Sequence, residues 1–287
     1  MRKTAIILTI LLTLSVLLTS CAPSEPSGGD ESYRVIVTTD ALYELVGAIG
    51  GGHVTVTNLL PTGAEPHDFE PKPRDVADAL AAELFIYNGL GLDAWAAQLA
   101  ATKTEGMSLA AAEAVPNVID GDPHVWLSPT GATELARILR DALTVADPAN
   151  AEAYAENCDL LTDKLAVLRD DYAEKFAQVK QRTFVTGHEA FAYLARDFDL
   201  TQRSVEGLYA EGEPTAKQLA ELVDFCRDNG VTTIFAESGA TQAVADTLAR
   251  ECGATVVTLY TIEFAQDSLT FTERMETNLS RLYEALR

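Results

Sequence analysis

The sequence is poor in several residue types, and each shortage closes off a class of function. It has only 21 lysine and arginine residues against 43 aspartate and glutamate, a formal charge of −22 over 287 residues. No basic face for nucleic acid is expected from that balance, and no polybasic patch for an anionic membrane surface. Beyond the first twenty residues no apolar run reaches the length of a bilayer span. There is no HExxH and no CxxC, so the short zinc-site signatures are missing. Only four histidines and four cysteines occur. What is abundant is apolar: 47% of residues, enough to bury a core and too many for a disordered acidic tail.

The N-terminus sets the compartment. Met1, Arg2 and Lys3 are followed by an apolar run from Ala5 to Leu18 and then Leu18-Thr19-Ser20-Cys21. Basic, apolar and small residues in that order read as a secretory signal peptide over residues 1–20. A cysteine after Leu-x-small resembles the lipobox of bacterial lipoproteins, which implies cleavage before Cys21 and a lipid on its sulfur. The alternative is an uncleaved anchor, although the run sits at the short limit for a span. Residues 21–32 hold Pro, Ser, Gly and acids and read as a flexible tether. Loss of Arg2 and Lys3 would leave a mature charge of −24.

The remainder reads as α/β. Strand-like runs at Arg34–Thr39, Val54–Leu60 and Leu84–Asn88 alternate with helix-like runs at Asp40–Gly50, Pro73–Ala81 and Asp93–Ala101. Ser128-Pro129 opens a further helix to about Val145. The second half repeats the pattern, with strands at Thr183–Thr186, Thr232–Ala236 and Thr255–Leu259. Its helices are expected at Ala190–Arg196, Thr215–Asn229, Thr241–Glu251 and Phe271–Leu286. Between the halves, Tyr154, Cys158, Leu161, Leu165, Leu168, Tyr172, Phe176 and Val179 recur at spacings of three and four. No Pro or Gly interrupts 149–180, which predicts a helix of roughly 48 Å. The expected organisation is two α/β lobes with parallel sheets, residues 33–147 and 182–287, joined by one long rigid backbone helix over 148–181.

Four ligand-type side chains stand out. His67 lies in PTGAEPHDFEP, His124 in GDPHVWLSP, His188 in TGHEAF and Glu263 in LYTIEF. At least three follow the carboxyl ends of predicted strands, the edge where open α/β sheets bind ligands. Two come from each half, so a common site must lie in the cleft between lobes. Three imidazoles and a carboxylate suit a divalent metal in a tetrahedron. His53, which opens a strand without loop support, reads as structural or solvated. Cys226 and Cys252 end consecutive helices and could form a disulfide; buried thiols are the alternative. Cys158 on the helical stripe reads as a packed thiol.

The stretches GAEPHDFEPKPRD, NGLGLDAW, DPHVWLSP, TGHEAFAYLARDFDL, EGEPTAKQL and TNLSRLYEAL occur in an order that resembles the zinc- and manganese-binding lipoproteins serving bacterial ABC importers. The resemblance runs from about residue 33 to the end. It implies two α/β lobes around a backbone helix, metal in the cleft, and His67, His124 and His188 as ligands. Family members that look zinc-selective have His at position 188, where manganese-selective ones have Glu. Many manganese members have Asp where this chain has Ile262, while some zinc members have Glu at 263. Glu263 is therefore the expected fourth ligand, with water or Asp267 as alternatives. Many zinc members also insert a His-rich loop between the first two ligands, and this chain does not.

The resemblance thus implies an extracytoplasmic Zn(II) receptor, lipid-anchored through Cys21 and monomeric. It would deliver its ion to an ABC permease and ATPase and would not be an enzyme. Zn²⁺ suits three nitrogens and one oxygen better than Mn²⁺, which prefers more oxygen ligands. A manganese receptor, a zinc hydrolase and an adhesin lipoprotein are the other readings. Glu65, Asp68, Glu70 and Glu189 lie near the ligands in sequence and could orient an imidazole.

Overall fold

The computed structural model describes residues 32–207, 215–237, 241–264 and 267–287. Cys21 and the expected signal peptide lie outside the described residues. No described helix is long and apolar enough to cross a membrane.

The first lobe contains β1 (Tyr33–Val37), α1 (Asp40–Gly50), β2 (Val54–Asn58), α2 (Pro73–Ala81), β3 (Leu84–Tyr87), α3 (Ala94–Ala100) and β4 (Met107–Ala110). Its four strands are all parallel, in the order β2-β1-β3-β4. β1 and β3 are central and covered on both faces, so their apolar runs are continuous. Val35, Val37, Leu84 and Ile86 face one core, while Ile36 and Phe85 face a second with Leu59, Ala79 and Ala96.

The second lobe repeats the plan. It contains β5 (Thr183–His188), α6 (Ala192–Asp197), β6 (Thr201–Glu206), α7 (Ala216–Asp228), β7 (Thr233–Ala236), α8 (Thr241–Cys252) and β8 (Thr255–Thr258). These strands are also parallel, in the order β6-β5-β7-β8. The equivalent order in both lobes puts strand carboxyl ends at the same kind of edge in each. β4 and β6 are strands that the residue pattern did not announce.

Between the lobes run α4 (Pro129–Ala146) and α5 (Ala151–Phe176). Ser128 caps α4 by accepting the Gly131 N–H at 3.0 Å, with Pro129 in the first turn. α5 is the expected backbone helix, but shorter than expected. Pro148–Asn150 form a 3₁₀ turn before it, and it ends at Phe176, so its 26 residues span about 39 Å. Past its end the Phe176 carbonyl accepts from Arg182 Nη1 at 3.0 Å and from the Val179 N–H at 3.4 Å, so an acceptor the helix leaves open is satisfied. Tyr154, Cys158, Leu161, Leu165, Tyr172 and Phe176 form its buried stripe.

A second element runs beside α5. The terminal helix α9 (Phe271–Leu286) opens on a capping box from Thr270 and Glu273. Its Met275, Leu279, Leu282 and Leu286 belong to a core shared with the first lobe, α4, α5 and Phe184, Phe191 and Phe235 of the second lobe.

Of the two readings for Cys226 and Cys252, a disulfide or separate thiols, the structure has separate thiols. Each packs as a small apolar side chain in or against the outer core of the second lobe. Burial, together with the neighbouring Cys252, pushes Cys226 up to about 12. Cys252 donates to the Ala249 carbonyl of its own helix at 3.8 Å. Cys158 is buried, as its stripe position predicts.

Candidate metal centre

The four expected residues meet. His67, His124, His188 and Glu263 each offer one atom to a cluster whose members all lie within 4.8 Å of one another. His124, His188 and Glu263 are buried, and the His67 side chain is 4% exposed. His53 is exposed and rests edge-on against Tyr154, outside the cluster.

Each side chain arrives by a different local device. His67 sits in a 3₁₀ turn, Pro66–Asp68, whose preceding Glu65 carboxylate meets the His67 N–H at 3.5 Å. His124 sits in the loop after β4. Asn88 donates to the Pro123 carbonyl at 3.2 Å, and Tyr193 of the second lobe donates to the Asp122 carbonyl at 2.8 Å. Gly131 lets α4 start hard against this loop: a Cβ there would stand 2.0 Å from the Val125 oxygen. His188 is the last residue of β5, and its carbonyl accepts from Thr186 Oγ1 at 2.7 Å and Gln202 Nε2 at 2.9 Å. Glu263 follows β8 in a loop held by Trp126, whose indole N–H donates to the Thr261 carbonyl at 2.7 Å.

The donor atoms have the spacing of a small coordination shell. Glu263 Oε1 lies 3.4 Å from His67 Nε2 and 3.3 Å from His124 Nε2. Ligands about 2.0 Å from a tetrahedral zinc stand about 3.3 Å apart. His124 Nε2, His188 Nε2 and Glu263 Oε1 are buried without a well-aligned hydrogen bond. Burial of polar atoms in that state is costly unless something else satisfies them.

Two carboxylates that the sequence reading did not single out face the outer nitrogens. Asp122 Oδ1 is 2.8 Å from His124 Nδ1, and Glu237 Oε2 is 3.8 Å from His188 Nδ1. At hydrogen-bond distance, Asp122 fixes the His124 ring and its tautomer and leaves Nε2 for the ion, while Glu237 stands near His188 at longer range. The Asp-Pro-His spacing could have pointed to Asp122. Glu237 follows β7, a strand end beside β5, which is a weaker signal. Asp267, one alternative fourth ligand, instead binds Arg274 Nε at 3.1 Å.

Charge reinforces the arrangement. Burial pulls His124 down, but hydrogen bonds to Asp122 and Glu263 outweigh it and raise its pKa to about 9. Burial likewise opposes, and Glu237 and Glu263 overcome it, in raising His188. Burial raises Glu263, yet hydrogen bonds from His124 and His67 bring it well below the ordinary carboxylate range. Burial, and then the neighbouring Glu263, push Glu65 up to about 7. A divalent cation placed among these groups would compete with protons for the ring nitrogens and offset the charge of the carboxylates.

Known proteins show the same build. The sequence profile of "ZnuA: Zinc-uptake complex component A periplasmic" matches residues 35–285. A Treponema pallidum protein named for metal binding is 37% identical, over 93% of this chain and 92% of its own. The zinc-binding lipoprotein AdcA of Streptococcus pneumoniae is 32% identical over 98% of this chain, which spans 60% of AdcA. The high-affinity zinc uptake protein ZnuA of Bacillus subtilis is 30% identical over 96% of both chains.

Among solved structures, the Zn(II)-bound ZnuA-like domain of S. pneumoniae AdcA aligns with a TM-score of 0.79 at 32% identity, covering 89% of this chain and 99% of that one. The laminin-binding protein Lmb of Streptococcus agalactiae, described as an adhesin with metal-transporting activity, aligns at 0.84 and 33% identity, covering 89% and 100%. With a profile match over nearly all of both lobes, the chain belongs to the ZnuA family of zinc-uptake components.

Proposed function

We propose that this chain is an extracytoplasmic Zn(II) receptor that captures the ion in its inter-lobe cleft and delivers it to an ABC permease and its ATPase. The observation that carries the reading is the convergence of three imidazoles and the Glu263 carboxylate within 4.8 Å of one another, with the carboxylate oxygen 3.4 and 3.3 Å from two of the ring nitrogens. Three nitrogens and one oxygen suit zinc better than manganese, which prefers more oxygen donors. Zinc is cargo in this reading, and no reaction is assigned. Glu263 takes the position that a hydrolytic zinc keeps open for water. The relatives' names support zinc uptake, and this chain spans nearly all of the B. subtilis protein's length.

Lipid attachment at Cys21 and a monomeric state complete the proposal. Membrane fractionation of the full chain and a Cys21→Ala variant tests the anchor: the variant should leave the membrane fraction. The central test titrates metal-free protein, purified without a polyhistidine tag, with zinc against a competing chelator. One zinc bound per chain, at submicromolar or tighter affinity and with manganese unable to displace it, supports the reading. No zinc binding at micromolar concentration, or an unchanged affinity in His188→Ala, overturns it.

A further inference from the structure

Glu263 belongs to the second half of the chain, yet groups of the first lobe hold its backbone. The Asp40 N–H, at the start of α1, is one of the donors that a helix leaves without an internal partner. It donates to the Glu263 carbonyl at 3.0 Å. Two residues earlier, Thr261 is held by Trp126. Between them Ile262 is buried with φ of 56°, the left-handed region that a β-branched residue avoids. Such a conformation persists only where its surroundings impose it.

The surroundings converge on Arg274. This first-turn residue of α9 is 2% exposed. Its Nη1 donates to Asp40 Oδ2 at 3.0 Å and to Glu44, both on α1. Its Nε donates to Asp267 Oδ1 and its Nη2 to the Asp267 carbonyl, each at 3.1 Å. One guanidinium therefore joins Asp40 of the first lobe to Asp267, and the backbone N–H of that same Asp40 holds the Glu263 carbonyl.

We infer that Arg274 is a positioning residue for metal binding: by clamping Asp40 and Asp267 it sets the backbone of Glu263, and through it the fourth ligand oxygen. The inference rests on the reading of Glu263 as a ligand. A buried ion cluster is a poor source of net stability, because desolvation offsets the attraction. What a planar fork supplies is direction, and lysine, a single point charge, cannot serve the same partners at once.

A double-mutant cycle tests this through zinc affinity and the visible spectrum of bound Co²⁺. Arg274→Lys should lose about 10-fold in affinity, as when groups that orient a ligand are altered. In a Glu263→Gln background it should lose nothing further. The Co²⁺ bands of Arg274→Lys should move toward those of Glu263→Gln. If Arg274→Lys does not fold, Asp40→Ala breaks the clamp while keeping the backbone donor, and must show the same non-additivity. Equal losses in both backgrounds would make the cluster merely structural and overturn the inference, as would no loss at all. Glu263→Gln with full zinc affinity would sink the ligand assignment itself, and this inference with it. Additive losses with a weakened Glu263→Gln would sink the inference alone.

Discussion

Asp122 grips His124 twice through one oxygen: Oδ1 accepts the His124 backbone N–H at 2.9 Å and faces its Nδ1 at 2.8 Å. Two residues apart, they form a rigid unit that fixes which nitrogen points into the cluster. Asp122→Ala should therefore weaken zinc binding about 10–100-fold without removing any ligand. Asp122→Asn, which can still accept a hydrogen bond, should lose less. Chelator competition ranks the two; equal affinities for both variants and the native protein would contradict the role.

The same pair sets a pH dependence. His124 has its pKa raised to about 9, chiefly because Asp122 and Glu263 overcome the effect of burial. Only the neutral ring binds metal, so the protonated ring competes with zinc at every pH below about 9. Affinity should rise as pH climbs from 6 toward 9, by up to tenfold per unit for one displaced proton, and level off above. Calorimetric titration in buffers of different ionisation heat should detect proton release at pH 7. A flat affinity between pH 7 and 8.5 would refute this.

His188 alone among the three imidazoles sits in a strand, and its neighbourhood already contains Glu237. Exchanging its nitrogen for oxygen should move selectivity. His188→Glu should lower zinc affinity and raise manganese affinity relative to zinc, since manganese favours oxygen donors. Competition between the two ions on one sample measures the ratio, and an unchanged ratio would count against the assignment.

Gly131 makes a prediction about stability. Gly131→Ala places a methyl group 2.0 Å from the Val125 oxygen, which is backbone and cannot swing aside. The start of α4 and the His124 loop must separate, at about 1–3 kcal/mol. Urea denaturation should show that loss in the metal-free protein, with zinc restoring part of it by binding only the folded state.

How far the sequence disclosed all this depended on the kind of contact. β1 and β3 were legible because central parallel strands are buried on both faces and carry unbroken apolar runs. β4 (MSLA) and β6 (TQRSVE) are edge strands, and pairing rather than composition makes them strands. α9 has the bounds expected for it, Phe271–Leu286, and its start carries a capping box from Thr270 and Glu273. The end of α5 was not legible, because no Gly or Pro marks it and the side chain that meets its last carbonyl, Arg182, lies beyond the helix. The three cluster histidines were visible because only four histidines occur, whereas Glu263, one of 43 acidic residues, was singled out by its place after a strand and by the resemblance. Arg274 was not: its partner Asp40 is 234 residues away, and nothing local distinguishes it from a helix-surface arginine.

Trp126 has one consequence of a different kind. Its ring centre lies 5.4 Å from that of His124, its indole N–H is bound to the Glu263 loop, and it is fully buried. The only other tryptophan is Trp95, packed against Phe69 and Phe85. A Trp95→Phe variant would leave a single tryptophan, excitable selectively over the nine tyrosines, beside both a histidine of the cluster and the loop of its carboxylate. Its emission would report on cleft occupancy with no dye attached, and paramagnetic ions such as Cu²⁺ or Co²⁺ would darken it on arrival.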